Sequence, residues 1–214
     1  MRPDYAIICE WIRPGAHVLD LGCGDGTLLH YLQATRGVTG YGIEIDPDEV
    51  VGCIRKGVNV IQADLDAGLA QFENDSFDYV VMSEALQVVQ RPDLLMDEIL
   101  RVGHECIVTF PNFGHWRSRL AIGLHGRMPV SPALPAQWYD TPNIHLCTVR
   151  DFEDLCRKKG ITVIRRSVVD HVHRSTLGMR LFPNLLGEIA LYQLRRNGKS
   201  ETRKRQTGSQ DAQA

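Results

Sequence analysis

Short apolar runs alternate with amphipathic stretches along most of the chain, and the spacing names the elements. Tyr5, Ile8 and Ile12 recur at helical intervals, so Asp4 to Ile12 reads as a short helix that Arg13-Pro14-Gly15 ends. His17 to Leu21 is a β-type run. It stops in a glycine-rich turn, Gly22-Cys23-Gly24-Asp25-Gly26, and a helical stretch from Thr27 to about Thr35 follows. Val38 to Ile45 is a second strand, and Pro47 opens a helix at a position that tolerates proline, with Gly57 closing it. Val58 to Gln62, Phe77 to Met82 and Cys106 to Phe110 read as three further strands, with a helix over Pro92 to Arg101. This alternation predicts an α/β fold, doubly wound, with a mostly parallel sheet covered on both faces.

The rhythm breaks over residues 112–147, which are rich in proline and hold two of the chain's three tryptophans. Such a long, partly irregular segment reads as a functional insertion, a lid or a binding surface. Thr148-Val149-Arg150-Asp151 then forms a capping box ahead of a helix, and Gly160 ends that helix. Ile161 to Val169 and Ile189 to Leu194 are the remaining strands. The expected organisation is one domain over residues 1–196, with a polar tail over 197–214 whose Lys199, Arg203, Lys204 and Arg205 read as a solubilising end.

The glycine turn carries the first chemistry. Glycine lets the backbone turn sharply and lets a ligand approach it closely, and the helix start behind it offers free N–H groups. The spacing is G-x-G-x-G rather than G-x-G-x-x-G, and Thr27 stands where the dinucleotide fingerprint takes Gly or Ala. The order Asp20-x-Gly22-x-Gly24-x-Gly26 instead resembles motif I of the class I S-adenosylmethionine (SAM) methyltransferases. That resemblance implies a sheet of class I methyltransferase type with an antiparallel last strand. It also implies that the loop residues Asp20, Gly22, Cys23, Gly24 and Gly26 back the methionine part of SAM. A nicotinamide-dependent oxidoreductase is the reading the Thr27 position counts against.

Composition trims the alternatives. The net charge of −2 offers no field for a polyanion. Six scattered cysteines without a C-x-x-C pair read as small buried thiols and suit a reducing compartment. No apolar run approaches a membrane span and no signal-type segment opens the chain, so a cytoplasmic protein is expected.

Further candidates follow the strand ends. Glu44 ends the second strand about 20 residues beyond the glycine loop, where a carboxylate accepts from a ribose diol, with Ile45 beside it. Asp64 ends the third strand and resembles the methyltransferase acid that accepts from the adenine amino group, with the Leu65 N–H facing a ring nitrogen. Asp46 and Asp66 are the neighbours with which these two are most easily confused. Ser83 and Gln87 follow the fourth strand, at the mouth where the methyl group is expected. Ser83-Glu84-Ala85-Leu86 stands where amino-group methylases of nucleic acids carry an Asn/Asp-Pro-Pro-aromatic run, so no nucleic-acid substrate is expected. His115 and His145 are the candidates for a general base, against packing roles within the insertion. Trp116, Trp138 and Tyr139 are candidates for a partner or substrate surface. His171 and His173 share one face of an extended segment but lack further metal ligands at a convincing spacing.

Four stretches together are similar to the methionine biosynthesis protein MetW family: residues 18–26, Gly42-Ile43-Glu44-Ile45-Asp46, Phe110-Pro111-Asn112-Phe113-Gly114-His115-Trp116, and residues 138–148. The first two are general to SAM binding; the last two are specific to the family. The resemblance implies a methyltransferase-like protein of methionine biosynthesis that binds SAM, or its product S-adenosylhomocysteine, and partners a MetX-type homoserine O-acyltransferase. Two readings stay open on the residues: a companion subunit without methyl transfer, and a true methyltransferase acting on a small molecule.

Overall fold

The computed structural model describes residues 4–170 and 176–198. The His171/His173 pair and the basic tail cluster lie outside them. Seven strands form one sheet: β1 (His17–Leu21), β2 (Thr39–Glu44), β3 (Val60–Gln62), β4 (Phe77–Ser83), β5 (Gly103–Pro111), β6 (Ile161–Val169) and β7 (Ile189–Arg196), in the order β3-β2-β1-β4-β5-β7-β6. Strands β1 to β5 run parallel. Strand β7 enters between β5 and β6 and is antiparallel to both, as expected of the last strand. The chain reverses its direction of travel between β1 and β4, the crevice where open α/β sheets hold ligands.

Helices cover both faces. On one face α1 (Asp4–Trp11), α2 (Thr27–Arg36) and α3 (Pro47–Arg55) pack with Val18, Val81 and Ile107. On the other, α4 (Pro92–Val102) and α6 (Val149–Lys158) pack with Leu19, Val80 and Val108. Alternate residues of one strand thus feed opposite cores, and the central strands read as continuous apolar runs because both faces are buried. Phe110, Phe152 and Tyr192 anchor α6, with Phe152 centred 4.8 Å from each of the other two rings.

Some boundaries move. Strand β3 starts at Val60 because the Val58 N–H donates to Cys53 O (3.0 Å) and its side chain caps the α3 core. Strand β5 is longer than its apolar run, because it is paired at one end to Phe77 and at the other to Ile189. The segment 112–147 is not wholly irregular: it contains α5 (Trp116–His125), and beyond that helix a single bridge joins Ser131 and Leu134. Two short helices, α7 (Leu177–Leu181) and α8 (Pro183–Leu186), precede β7 where no element is expected from the sequence.

The capping box forms as read. Thr148 Oγ1 accepts from the Asp151 N–H (3.2 Å), and Asp151 Oδ2 accepts from the Thr148 N–H (3.0 Å). Thr148→Ala should therefore lower stability by about 0.5–2 kcal/mol. Thermal unfolding checks this, since about 1 kcal/mol moves Tm by about 2–4 °C at this size.

Candidate functional site

The glycine loop closes over the carboxyl ends of β1 and β2. Its first two N–H groups, of Gly22 and Cys23, donate to Ile43 O at 2.9 and 3.0 Å, which welds the loop to β2. Gly22, Gly24 and Gly26 all take left-handed backbone angles, at φ +65°, +54° and +74°. A Cβ on Gly22 would stand 2.9 Å from Ala85 Cβ, and one on Gly26 2.9 Å from Cys53 Sγ. Conformation and space both demand glycine there. Thr27 is an anchor: its Oγ1 donates to Asp25 Oδ1 (2.7 Å) and accepts from Lys56 Nζ (2.7 Å). Lys56 also pairs with Asp25, and it holds that carboxyl below the usual range. The residue that departs from the dinucleotide fingerprint thus ties the loop to α3.

Acidic groups line the adjoining strand ends. Asp20 is buried near the end of β1, in register with Gly42 of β2 and Val81 of β4. Glu44 Oε2 accepts from the Gly24 N–H (2.8 Å), while Oε1 accepts from those of Ile45 (2.8 Å) and Asp46 (3.0 Å). Its carboxylate is held in one orientation by the glycine loop itself, and each oxygen retains acceptor capacity. Asp46 accepts from Asp48 N (2.8 Å) as the N-cap of α3. Asp64 is exposed and starts a 3₁₀ turn over Leu65–Ala67, accepting from Asp66 N (2.9 Å). Asp66 Oδ1 takes the Gln90 N–H (2.8 Å) and so ties two loops together. Asp46 and Asp66 are thus engaged in local architecture, and so is Asp64 as the N-cap of its 3₁₀ turn. Leu65 packs against the core that α4 covers, and Ile45 is exposed beside the loop.

Ser83 ends β4 with its Oγ 3.3 Å from Thr109 Oγ1. Glu84, the next residue, is held at φ +56° while its N–H donates to both oxygens of Thr109. A left-handed non-glycine residue is a costly conformation that concentrates at functional loops; no sequence signal marked it. Gln87 is buried, and its backbone carbonyl accepts from the N–H groups of Ile144 (2.8 Å) and His145 (3.0 Å). His145 Nε2 lies 3.0 Å from Gln90 O. His145 is therefore a clasp between the insertion and the loop after β4.

His115 sits elsewhere. It is buried at the start of α5, with Nε2 3.9 Å from Glu188 Oε1. Burial pushes its pKa below the ordinary imidazole value. The neutral ring is thus the folded form. Stability from that preference is fully present above the unfolded value of about 6.5 and is lost as the pH falls below it. Comparing Tm at pH 7.5 and 5.5 should show a smaller acid loss in His115→Asn than in the parent protein.

Asn112 organises this corner, a role the sequence reading missed. Its Nδ2 donates to Gly187 O (2.7 Å) and Asn184 O (3.1 Å), and its Oδ1 accepts from Gly114 N (3.0 Å) and Val149 N (3.2 Å). One buried amide pins β5, α6 and the turn before β7. Helix α5 then leaves this corner with its apolar side chains outward. Trp116, Leu120 and Leu124, each four residues apart, are 41%, 43% and 73% exposed, whereas the buried residue of the helix is Ser118. Trp138 and Tyr139 are each 71% exposed and meet edge to face at 5.7 Å.

Fold and loop define the class. The sheet order, antiparallel last strand and motif I loop are those of the class I SAM methyltransferase fold. An S-adenosylmethionine-dependent methyltransferase from Mesorhizobium loti superposes with a TM-score of 0.66 at 18% identity, over 91% of this chain and 96% of that one. The [4+2]-cyclase SpnF superposes at 0.63 and 17% identity, over 91% and 81%. Residues 2–194 match the methionine biosynthesis protein MetW family, and the chain belongs to that family. It is also 32% identical, over 208 residues, to the bifunctional methionine biosynthesis protein MetXA/MetW of Rhodopirellula baltica, covering 93% of this chain and 33% of that protein. The chain thus spans about a third of the length of that relative.

Proposed function

We propose that this chain binds SAM at the carboxyl ends of β1 to β4 and serves as a companion subunit of a MetX-type homoserine O-acyltransferase. The observation that carries the second half is the relative whose name joins MetXA and MetW in one polypeptide, of which this chain matches a third. Fusion places two activities at high effective concentration, as a standing complex does. The glycine loop fits the first half, because the left-handed backbone of Gly22, Gly24 and Gly26 turns sharply at the carboxyl ends of β1 and β2, where open α/β sheets hold ligands. In this reading Asp20, Gly22, Cys23, Gly24 and Gly26 hold the methionine part of SAM. Glu44 with Ile45 holds the ribose, Asp64 with the Leu65 N–H holds the adenine, and Ser83 stands on the methyl side. Bound SAM carries an electrophilic methyl group on its sulfonium. The fold alone does not commit the chain to transferring it, since a cyclase shares the same frame.

The insertion supplies the docking face. Trp116, Leu120, Leu124, Trp138 and Tyr139 present the exposed aromatic and aliphatic anchors that interfaces bury. The decisive experiment mixes the two purified proteins, follows co-elution, and assays acyl transfer with and without this chain. A stable complex and a raised rate support the companion role; two folded proteins that neither co-elute nor change the rate defeat it. A small-molecule methyltransferase is the second reading, and buried His115 beside a cavity favours it. Turnover of SAM by this chain alone, on a defined acceptor, would promote it.

A further inference from the structure

The glycine loop is held from two sides. On one side the N–H groups of Gly22, Cys23 and Gly24 donate to Ile43 and Glu44 of β2. On the other, the C-terminal half of α3 forms a bed for residues 23–27. Cys53 Sγ lies 3.7 Å from Cys23 Sγ and donates to Gly24 O (3.1 Å). Gly52 lets the helix approach Asp25: a Cβ there would stand 3.1 Å from Asp25 Cβ and 3.3 Å from its Cα. Lys56, the C-cap of α3, completes the bed. Its Nζ donates to Asp25 O (3.1 Å) and Thr27 Oγ1 (2.7 Å), and it pairs with the Asp25 carboxylate. One ammonium thus commits its donors to the two residues that flank Gly26.

The loop needs this second support. Glycine has more backbone freedom to lose than any other residue, and a half-tethered loop has to be ordered afresh each time a ligand binds. An exposed ion pair alone contributes little. Lys56 differs because it also holds a backbone carbonyl of the loop, with its side chain only 32% exposed. The two supports act on different stretches: Glu44, the proposed ribose acceptor, reaches Gly24, whereas Lys56 holds Asp25 and Thr27. We propose that Lys56 is a positioning residue for the amino-acid end of SAM. Acting through Asp25 and Thr27, it fixes the Gly24 to Gly26 backbone against which that end lies, and it contributes nothing to the adenosine end. The inference rests on the SAM reading and adds to it a residue of α3 that has no contact of its own with the ligand.

The test is isothermal titration of the full chain with two ligands. One is SAM; the other is 5′-methylthioadenosine, which keeps the adenine, ribose and sulfur and lacks the amino-acid end. Ordering a single backbone residue is worth roughly a factor of ten in affinity. Lys56→Met should therefore weaken SAM by about fivefold or more and leave 5′-methylthioadenosine within about twofold of the parent. Asp25→Asn should act in the same direction, and combining it with Lys56→Met should add little, because one clamp is removed by either change. Unaltered SAM affinity in Lys56→Met overturns the inference, and so does an equal loss of both ligands, which is what general damage to the fold produces. If 5′-methylthioadenosine binds the parent too weakly to titrate, the double variant decides on SAM alone, and fully additive losses overturn the inference. Should Lys56→Met fail to fold by circular dichroism, Thr27→Val carries the same comparison from the other end of the clamp. A parent protein that binds neither ligand defeats the SAM reading, and this inference with it. A parent that binds SAM no better than Lys56→Met does defeats this inference alone.

Discussion

Glu44→Ala should weaken SAM binding by about 1.5–3 kcal/mol, roughly 10- to 150-fold in Kd. Two effects act together. The substitution removes the charged acceptor proposed for the ribose hydroxyls, and it releases the Gly24 N–H that Glu44 Oε2 holds at 2.8 Å. The loop proposed to back the methionine part therefore loses one of its ties to β2, those of Gly22 and Cys23 to Ile43 remaining, along with the proposed ribose contact. Asp46 is the control because its carboxylate caps α3. Asp46→Ala should cost about 1 kcal/mol of stability and leave SAM affinity near that of the parent. Isothermal titration of both variants, with Tm recorded for each, separates the roles. An unchanged affinity in Glu44→Ala removes that residue from the site. A large loss in Asp46→Ala alone would move the proposed ribose contact two residues along.

The parallel half of this fold was legible because its signals are local. Motif I is a run of nine residues, and β1, β4 and β5 are largely buried on both faces, so they appear as apolar segments. The capping box of α6 is likewise written in four consecutive residues. The corner beyond β5 was not legible. Helix α5 has no inward apolar stripe, since Trp116, Leu120, Ile122 and Leu124 all lie at the surface, and a periodicity argument needs a buried face to find a helix. Asn112 draws its four partners from Gly114, Val149, Asn184 and Gly187, and most of that set is 37 or more residues away. Glu188 sits in no motif and gains its meaning only from the side chains that tertiary folding brings to it. The choice between Glu44 and Asp46, and between Asp64 and Asp66, was not legible either, because all four carboxylates accept backbone N–H groups.

The largest effect expected on the companion role comes from the outward face of α5. Leaving a stripe of Trp116, Leu120 and Leu124 in water is unfavourable for an isolated chain, and covering it returns transfer free energy of about 25 cal/mol per Å². Aromatic anchors at the centre of such a face commonly cost 2 kcal/mol or more when truncated. Trp116→Ala, and separately the pair Leu120→Ser with Leu124→Ser, should therefore weaken the complex with the acyltransferase by about 30-fold or more. The far-UV circular dichroism should be kept, because these side chains contribute little to the chain's own core. Trp138→Ala should act in the same direction if the loop over residues 126–147 belongs to the same face. Measured by co-elution and by stimulation of acyl transfer, both effects should fall together, since one surface is proposed to serve both. Loss of fold in all of these variants would make the residues part of the core and leave the docking face unassigned. Intact fold with unaltered complex would move it elsewhere, and the exposed Leu181 and Phe182, at the junction of α7 and α8, would be the next surface to test.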